Sequence, residues 1–173
     1  MFTDLPPPKM VHSLRRDVGV LIPAFNEEST IAKIILQARR FADTVIVCDD
    51  GSKDLTGEIA KVLGAEVIRH NHNLGYGAAL NSLFRRAIQL GIRIAVTIDG
   101  DGQHNPDWIP RLVEPILSGD VDIVMGSRFS NNGDIEIPRL RRAGVRTINR
   151  LTRLISHLPV SDSQCGMRAY REP

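Results

Sequence analysis

Residues 18–50 read VGVLIPAFNEESTIAKIILQARRFADTVIVCDD, and three patterns follow one another within them. Residues 18–22 form a short apolar, β-branched run that stops at Pro23, as a buried strand does. A helical pattern occupies residues 29–41, and a second apolar run, residues 44–48, ends in the adjacent acids Asp49 and Asp50. Strand, helix and strand at this spacing make a parallel pair joined by a crossover helix.

The same alternation continues outward. Strands are expected over residues 66–69, 92–98 and 122–125, and helices over 55–63, 77–90 and 106–117, the last opened by Asn105 as N-cap with Pro106 in the first helical position. The fold class expected is α/β, a Rossmann-like and mostly parallel sheet flanked by helices in a single domain. Residues 1–17, with three consecutive prolines and scattered charge, read as a poorly ordered lead-in, and residues 18–173 as the domain.

With 173 residues, 42% of them hydrophobic, the chain can bury one core but not two. Its 22 Lys and Arg against 20 Asp and Glu give a net charge of +2, no signature of a nucleic-acid binder. Only Cys48 and Cys165 are present, which argues against a disulfide framework or a cysteine zinc site and fits a reducing, cytoplasmic setting. No stretch approaches the roughly 20 apolar residues of a membrane span, so a soluble or peripheral protein is expected.

In a parallel α/β sheet, ligands gather beyond the carboxyl ends of the strands. Pro23 to Glu28 follow the first strand and offer an aromatic face at Phe25 on which a base could stack, although Asn26, Glu27 and Glu28 also suit simple capping of the next helix. Asp49-Asp50-Gly51-Ser52 follow the second, where a carboxylate could accept hydrogen bonds from a nucleobase or ribose, or where Asp and Gly merely turn the chain.

The apolar run 92–98 ends in Asp99-Gly100-Asp101-Gly102-Gln103-His104. Paired carboxylates at a buried rim repel unless a cation lies between them, and oxygen ligands select a hard ion, Mg2+ or Mn2+. Asp99 and Asp101 are the candidate ligands, with Gln103 adding a neutral oxygen; His104 could complete the shell, although a lone histidine beside an N-cap is more often structural. Such an ion would neutralise a departing diphosphate. After the fifth strand, Gly126-Ser127-Arg128 brings a guanidinium suited to phosphate.

Gly75-Tyr76-Gly77 lacks the third glycine of a dinucleotide fingerprint and reads as close packing where a helix starts, and Asn71, His72 and Asn73 read as a polar loop. From Arg139 to His157, basic residues recur every three or four positions opposite an apolar stripe, so one helix would carry a basic face, either solvated or resting on anionic headgroups.

In order, residues 22–28 (IPAFNEE), 49–52 (DDGS), 73–75 (NLG), 99–104 (DGDGQH), 126–128 (GSR) and 162–166 (DSQCG) resemble the family-2 glycosyltransferases of GT-A fold over about residues 18–170. Within that family the likeness is to the polyprenyl-phosphate and dolichol-phosphate transferases. The resemblance implies that Pro23, Phe25, Glu27, Cys48 and Asp50 frame the nucleotide of a nucleoside-diphosphate sugar, GDP-mannose or UDP-glucose. It implies that Asp99, Asp101 and Gln103 hold Mg2+ or Mn2+, and that Arg128 contacts phosphate. Asp162 and Gln164 would lie near a polyprenyl phosphate acceptor, with Asp162 the candidate base for a hydroxyl acceptor instead.

Gly100 stands where the mannosyltransferases more usually carry alanine, removing a side chain near the sugar. Because relatives continue beyond the segment ending at Tyr170, the resemblance also implies a truncated chain with an incomplete acceptor site. A nucleotide-sugar-binding module without turnover is the non-enzymatic alternative. The sugar-1-phosphate nucleotidyltransferases are disfavoured because residues 23–28 lack their glycine-rich basic loop.

Overall fold

The computed structural model of the protein describes residues 14–126 and 165–172. Six strands form one sheet: β1 (Val18–Ala24), β2 (Thr44–Asp49), β3 (Glu66–Arg69), β4 (Ile94–Thr97), β5 (Ile123–Met125) and β6 (Arg168–Arg171). Among the described residues, four α-helices lie between the strands β1 to β5: α1 (Ile31–Ala38), α2 (Thr56–Val62), α3 (Tyr76–Gln89) and α4 (Ile109–Leu117). The order across the sheet is β3-β2-β1-β4-β6-β5, with β1 to β4 mutually parallel and β6 running antiparallel to both β4 and β5.

Alternation along the strands divides the core into two layers. Val18, Val20 and Ile22 of β1 face one side, where they pack with Ile31, Ile34 and Ile35 of α1 and Ile109 and Ile116 of α4. Leu21 faces the other, against Ala79, Leu83 and Ala87 of α3. Burial on both faces is why these strands read as unbroken apolar runs, and each fully buried Ile or Leu contributes about 2 kcal/mol.

The expected elements are present with trimmed ends. The fourth strand is Ile94–Thr97 rather than 92–98, and the first helix covers Ile31–Ala38 rather than 29–41. Asn105 does cap: its side chain accepts a hydrogen bond from the Asp107 amide at the start of a 3-10 turn, Pro106–Trp108, that runs into α4. Residues 14–17 of the expected lead-in pack against the domain. Leu14–Arg16 is a 3-10 turn, Arg15 donates to the Arg39 carbonyl at 2.6 Å and pairs with Asp43 at 3.1 Å, and Asp17 O accepts from the amides of Arg93 and Ile94.

β6 has no counterpart among the expected strands. Its sequence, RAYR, is four residues with charge at both ends, and it gains its place from tertiary partners rather than from its own pattern. The Tyr170 ring meets Phe84 edge to face at 5.1 Å, and Arg171 binds the carbonyls of Ile116 and Val121. Because β6 is antiparallel, its leading residues 165–167 arrive at the rim where β4 ends.

Candidate active site

The carboxyl ends of β1, β2 and β4 open into a cleft of about 370 Å³ whose walls include Phe25, Glu27, Asp50, Tyr76, Asp99 and Asp101. The loop after β1 is stitched to the loop after β2. The Asn26 amide donates to Ser52 Oγ (3.0 Å), the Lys53 amide donates to Asn26 Oδ1 (2.9 Å), and the Glu27 amide donates to Thr56 Oγ1 (2.7 Å). This fixes Asn26 in the left-handed region at φ 57° and leaves the Phe25 ring 41% exposed on the cleft. Glu27 is half-buried on the same wall, accepting from the Thr30 hydroxyl at 3.0 Å.

The two acids ending β2 differ. Asp49 is fully buried; its Oδ1 accepts from the Ser52 amide at 2.9 Å, while Oδ2 makes no hydrogen bond and has only an ion-pair contact with Arg69 Nε at 3.3 Å. Asp50 lines the cleft. Its Oδ1 accepts from the Leu74 amide (2.9 Å) and from His70 Nδ1 (2.6 Å), and its Oδ2 from the Gly75 amide (2.8 Å). Burial alone would raise the Asp50 carboxyl, but the hydrogen bonds from Leu74, His70 and Gly75 outweigh it and hold the group below the usual aspartate range. The carboxylate therefore anchors the 73–75 loop, with one lone pair of Oδ2 left for a ligand.

Gly51 makes that loop possible: at φ +75° it lies under the chain, and a Cβ there would come within 2.5 Å of the His72 backbone. Asn73, read as part of a polar loop, is thereby brought to the cleft wall.

Among the described residues, a Cβ on Gly75 or Gly77 would meet nothing within 4 Å, so the close packing expected there is not seen in that part of the chain. What Gly75 supplies is φ +91° just before α3, which turns its amide to Asp50 and starts the helix at Tyr76.

Asp99 and Asp101 share the cleft with Gly100 between them. The Tyr76 hydroxyl donates to Asp99 Oδ1 at 3.1 Å, and His104 Nε2 lies 3.5 Å from Oδ2. Burial and the neighbouring Asp99 carboxylate push the Tyr76 phenol up, so it stays a donor. The Gly166 backbone packs so tightly on this carboxylate that a Cβ there would overlap it, and Thr97 Oγ1 secures the segment by donating to Gly166 O at 2.9 Å. A Cβ on Gly100 would point at Pro23 O (3.1 Å) and Glu27 Cγ (3.5 Å), towards the β1 loop.

Two expected site residues are not brought to this wall. Cys48 is fully buried among Leu21, Ile46 and Leu83, its thiol pushed up to about 12 by burial and by Asp50 and Asp49. Strand alternation turns it, with Ile46, towards α3, and it lies short of the rim that Asp50 reaches. Gln103 is exposed and stands off the lining; it is its amide that matters, donating to Asp101 Oδ1 at 2.9 Å. Arg128, Asp162, Gln164 and the basic 139–157 segment lie outside the described residues.

Among the described residues, no three His, Cys, Asp or Glu side chains gather into a closed metal cage. Two rim carboxylates open to a cleft are the kind of oxygen donors that suit a hard cation. Asp99 and Asp101 fit such an ion.

Tyr76 and the main chain at Gly166 are the site features that residue-by-residue reading missed. A tyrosine between two glycines was the only signal for the first; the second depends on β6.

A three-layer α/β sheet with acids gathered at the carboxyl ends of β1, β2 and β4 defines the GT-A class of fold. The chain belongs to glycosyl transferase family 2, whose family model matches residues 19–173. A UDP-N-acetylglucosamine–dolichyl-phosphate N-acetylglucosaminyltransferase of Methanococcus voltae is 36% identical, the match covering 88% of this chain and 68% of that protein. A dolichyl-phosphate hexose transferase of Haloferax volcanii is 35% identical over 90% of this chain and 66% of its own. Among solved structures, glucosyl-3-phosphoglycerate synthase of Mycobacterium tuberculosis, in complex with Mn2+, UDP-glucose and phosphoglyceric acid, matches with a TM-score of 0.69 at 27% identity. That match covers 92% of this chain and 58% of the other. The chain thus spans about two thirds of the length of the two curated relatives and less of the solved one.

Proposed function

We propose that this chain is the donor-binding part of a metal-dependent, inverting glycosyltransferase that moves a hexose from GDP-mannose or UDP-glucose to a polyprenyl or dolichyl phosphate. The observation that carries the reading is that Asp99 and Asp101 face the same cleft as the exposed Phe25 ring and the Asp50-anchored loop. One end of that cleft suits a nucleoside and the other a metal-bound diphosphate. The names of the two dolichyl-phosphate transferases support a lipid phosphate as acceptor.

In this reading the Phe25 face and the remaining Oδ2 lone pair of Asp50 receive the nucleoside, with Pro23 and Glu27 on the same wall. Asp99 and Asp101 hold Mg2+ or Mn2+; Gln103, exposed on the same loop, would have to turn inward to join them. An ion held there would supply positive charge against the departing diphosphate. A lipid phosphate is already anionic near neutral pH, so no base is needed: its oxygen attacks the anomeric carbon, the bond from that carbon to the diphosphate oxygen breaks, and its electron pair leaves with the nucleoside diphosphate. Attack opposite the leaving group inverts the anomeric configuration. Arg128 is proposed to bind phosphate and Asp162 and Gln164 to meet the acceptor, with Asp162 as base if the acceptor is a hydroxyl.

No described helix is long and apolar enough to cross a membrane. The basic residues of segment 139–157 are proposed to meet anionic headgroups at the cytoplasmic surface. The test is transfer of labelled mannose or glucose, in the presence of Mn2+, into undecaprenyl phosphate carried in vesicles, with a soluble phosphoglycerate acceptor in a parallel arm. Label in the lipid phase is expected; label in the soluble acceptor alone contradicts the lipid reading.

A further inference from the structure

Asp50 and Asp99 end different strands, and one short stretch of chain touches both. Asp50 accepts from the amides of Leu74 and Gly75 at 2.9 and 2.8 Å, and the next residue, Tyr76, opens α3 and donates its hydroxyl to Asp99 Oδ1 at 3.1 Å. Tyr76 is 52% exposed and, among the described residues, belongs to neither buried cluster of the core. A half-exposed tyrosine whose hydroxyl binds a rim carboxylate is there for that carboxylate.

We propose that Tyr76 is a positioning residue for Asp99, holding the carboxylate oriented for a divalent ion and tying that orientation to the Asp50-anchored loop. This rests on the metal reading of Asp99 and Asp101 given above. The Gly166 main chain and His104 crowd Oδ2 of this carboxylate, and the Tyr76 hydroxyl on Oδ1 fixes the other oxygen, so that the torsion is set before the ion arrives. Outer partners of this kind act on metal affinity rather than on folding. Loop 73–76 would then make the two ends of the cleft interdependent, because whatever displaces Leu74 and Gly75 from Asp50 also moves the base of Tyr76.

The experiment is titration of Mn2+ into the full chain, wild type and Tyr76→Phe, followed by the electron paramagnetic resonance of free Mn2+, with UDP or GDP absent or present. Thermal melting of both proteins is measured alongside. Tyr76→Phe keeps the ring and loses one oxygen, so the melts should coincide. Mn2+ affinity should fall about 10-fold in the variant, while nucleotide affinity at saturating Mn2+ stays near that of the wild type. Equal Mn2+ affinity in the two proteins overturns the role of Tyr76 and leaves the metal reading intact. A wild type that binds no Mn2+ with or without nucleotide removes the metal reading and this inference with it.

Discussion

Cys48 and Asp50, two residues apart, lie on the same side of β2, and their position along the chain separates their fates, since the strand ends at Asp49. Cys48 points into the layer under α3, whereas Asp50 reaches the cleft and spends most of its acceptors on the protein itself. The Cys48 thiol, pushed up to about 12 from an ordinary 9.0, makes burial of the neutral group part of the folding free energy. Folded pKa above unfolded means that this stability is fully present below pH 9, where both states hold the proton, and is lost as pH rises towards 12. Urea melts between pH 8 and 10.5 should therefore show wild type losing stability more steeply than Cys48→Ala, by up to about 1.4 kcal/mol per pH unit. Parallel slopes would mean that Cys48 ionises in the fold.

Among the elements, β1, β2 and β4 were legible because burial on both faces leaves nearly continuous apolar runs, and the loops that follow them were legible because acids stand where the apolar run stops. β6 was not, since RAYR carries no period and is held by Phe84, Ile116 and Val121, partners distant in sequence. The start of α3 was legible as a helix start but not as a link between Asp50 and Asp99, a relation created only when the 71–75 loop folds over Gly51. That crossing predicts its own fragility. Gly51→Ala introduces strain at φ +75° and a Cβ 2.5 Å from the His72 backbone, and should destabilise the fold by about 2–4 kcal/mol. Chemical denaturation measures it; a loss under about 0.5 kcal/mol would show that the loop has room to move aside.

Across the whole molecule, a doubly covered parallel sheet delivers three strand ends to one rim, and the antiparallel β6 adds the Gly166 main chain against Asp99. The fold class followed from the βαβ alternation, and family membership from the order of six weak motifs, each of which alone fits an ordinary turn or cap. Contact between the two halves of the site was beyond sequence because it depends on tertiary crossings at Gly51 and Gly166. The proposed function requires that this rim bind a nucleoside-diphosphate sugar through a divalent ion at Asp99 and Asp101. Calorimetric titration of the chain with GDP-mannose, UDP-glucose and UDP-N-acetylglucosamine, each with Mn2+ and with EDTA, tests it most directly, with Asp101→Asn as the matched variant. One donor should bind, and its binding should disappear in EDTA and in Asp101→Asn while the variant melts as the wild type does; binding unaffected by EDTA and by the substitution, or binding of no donor at all, would rule this function out.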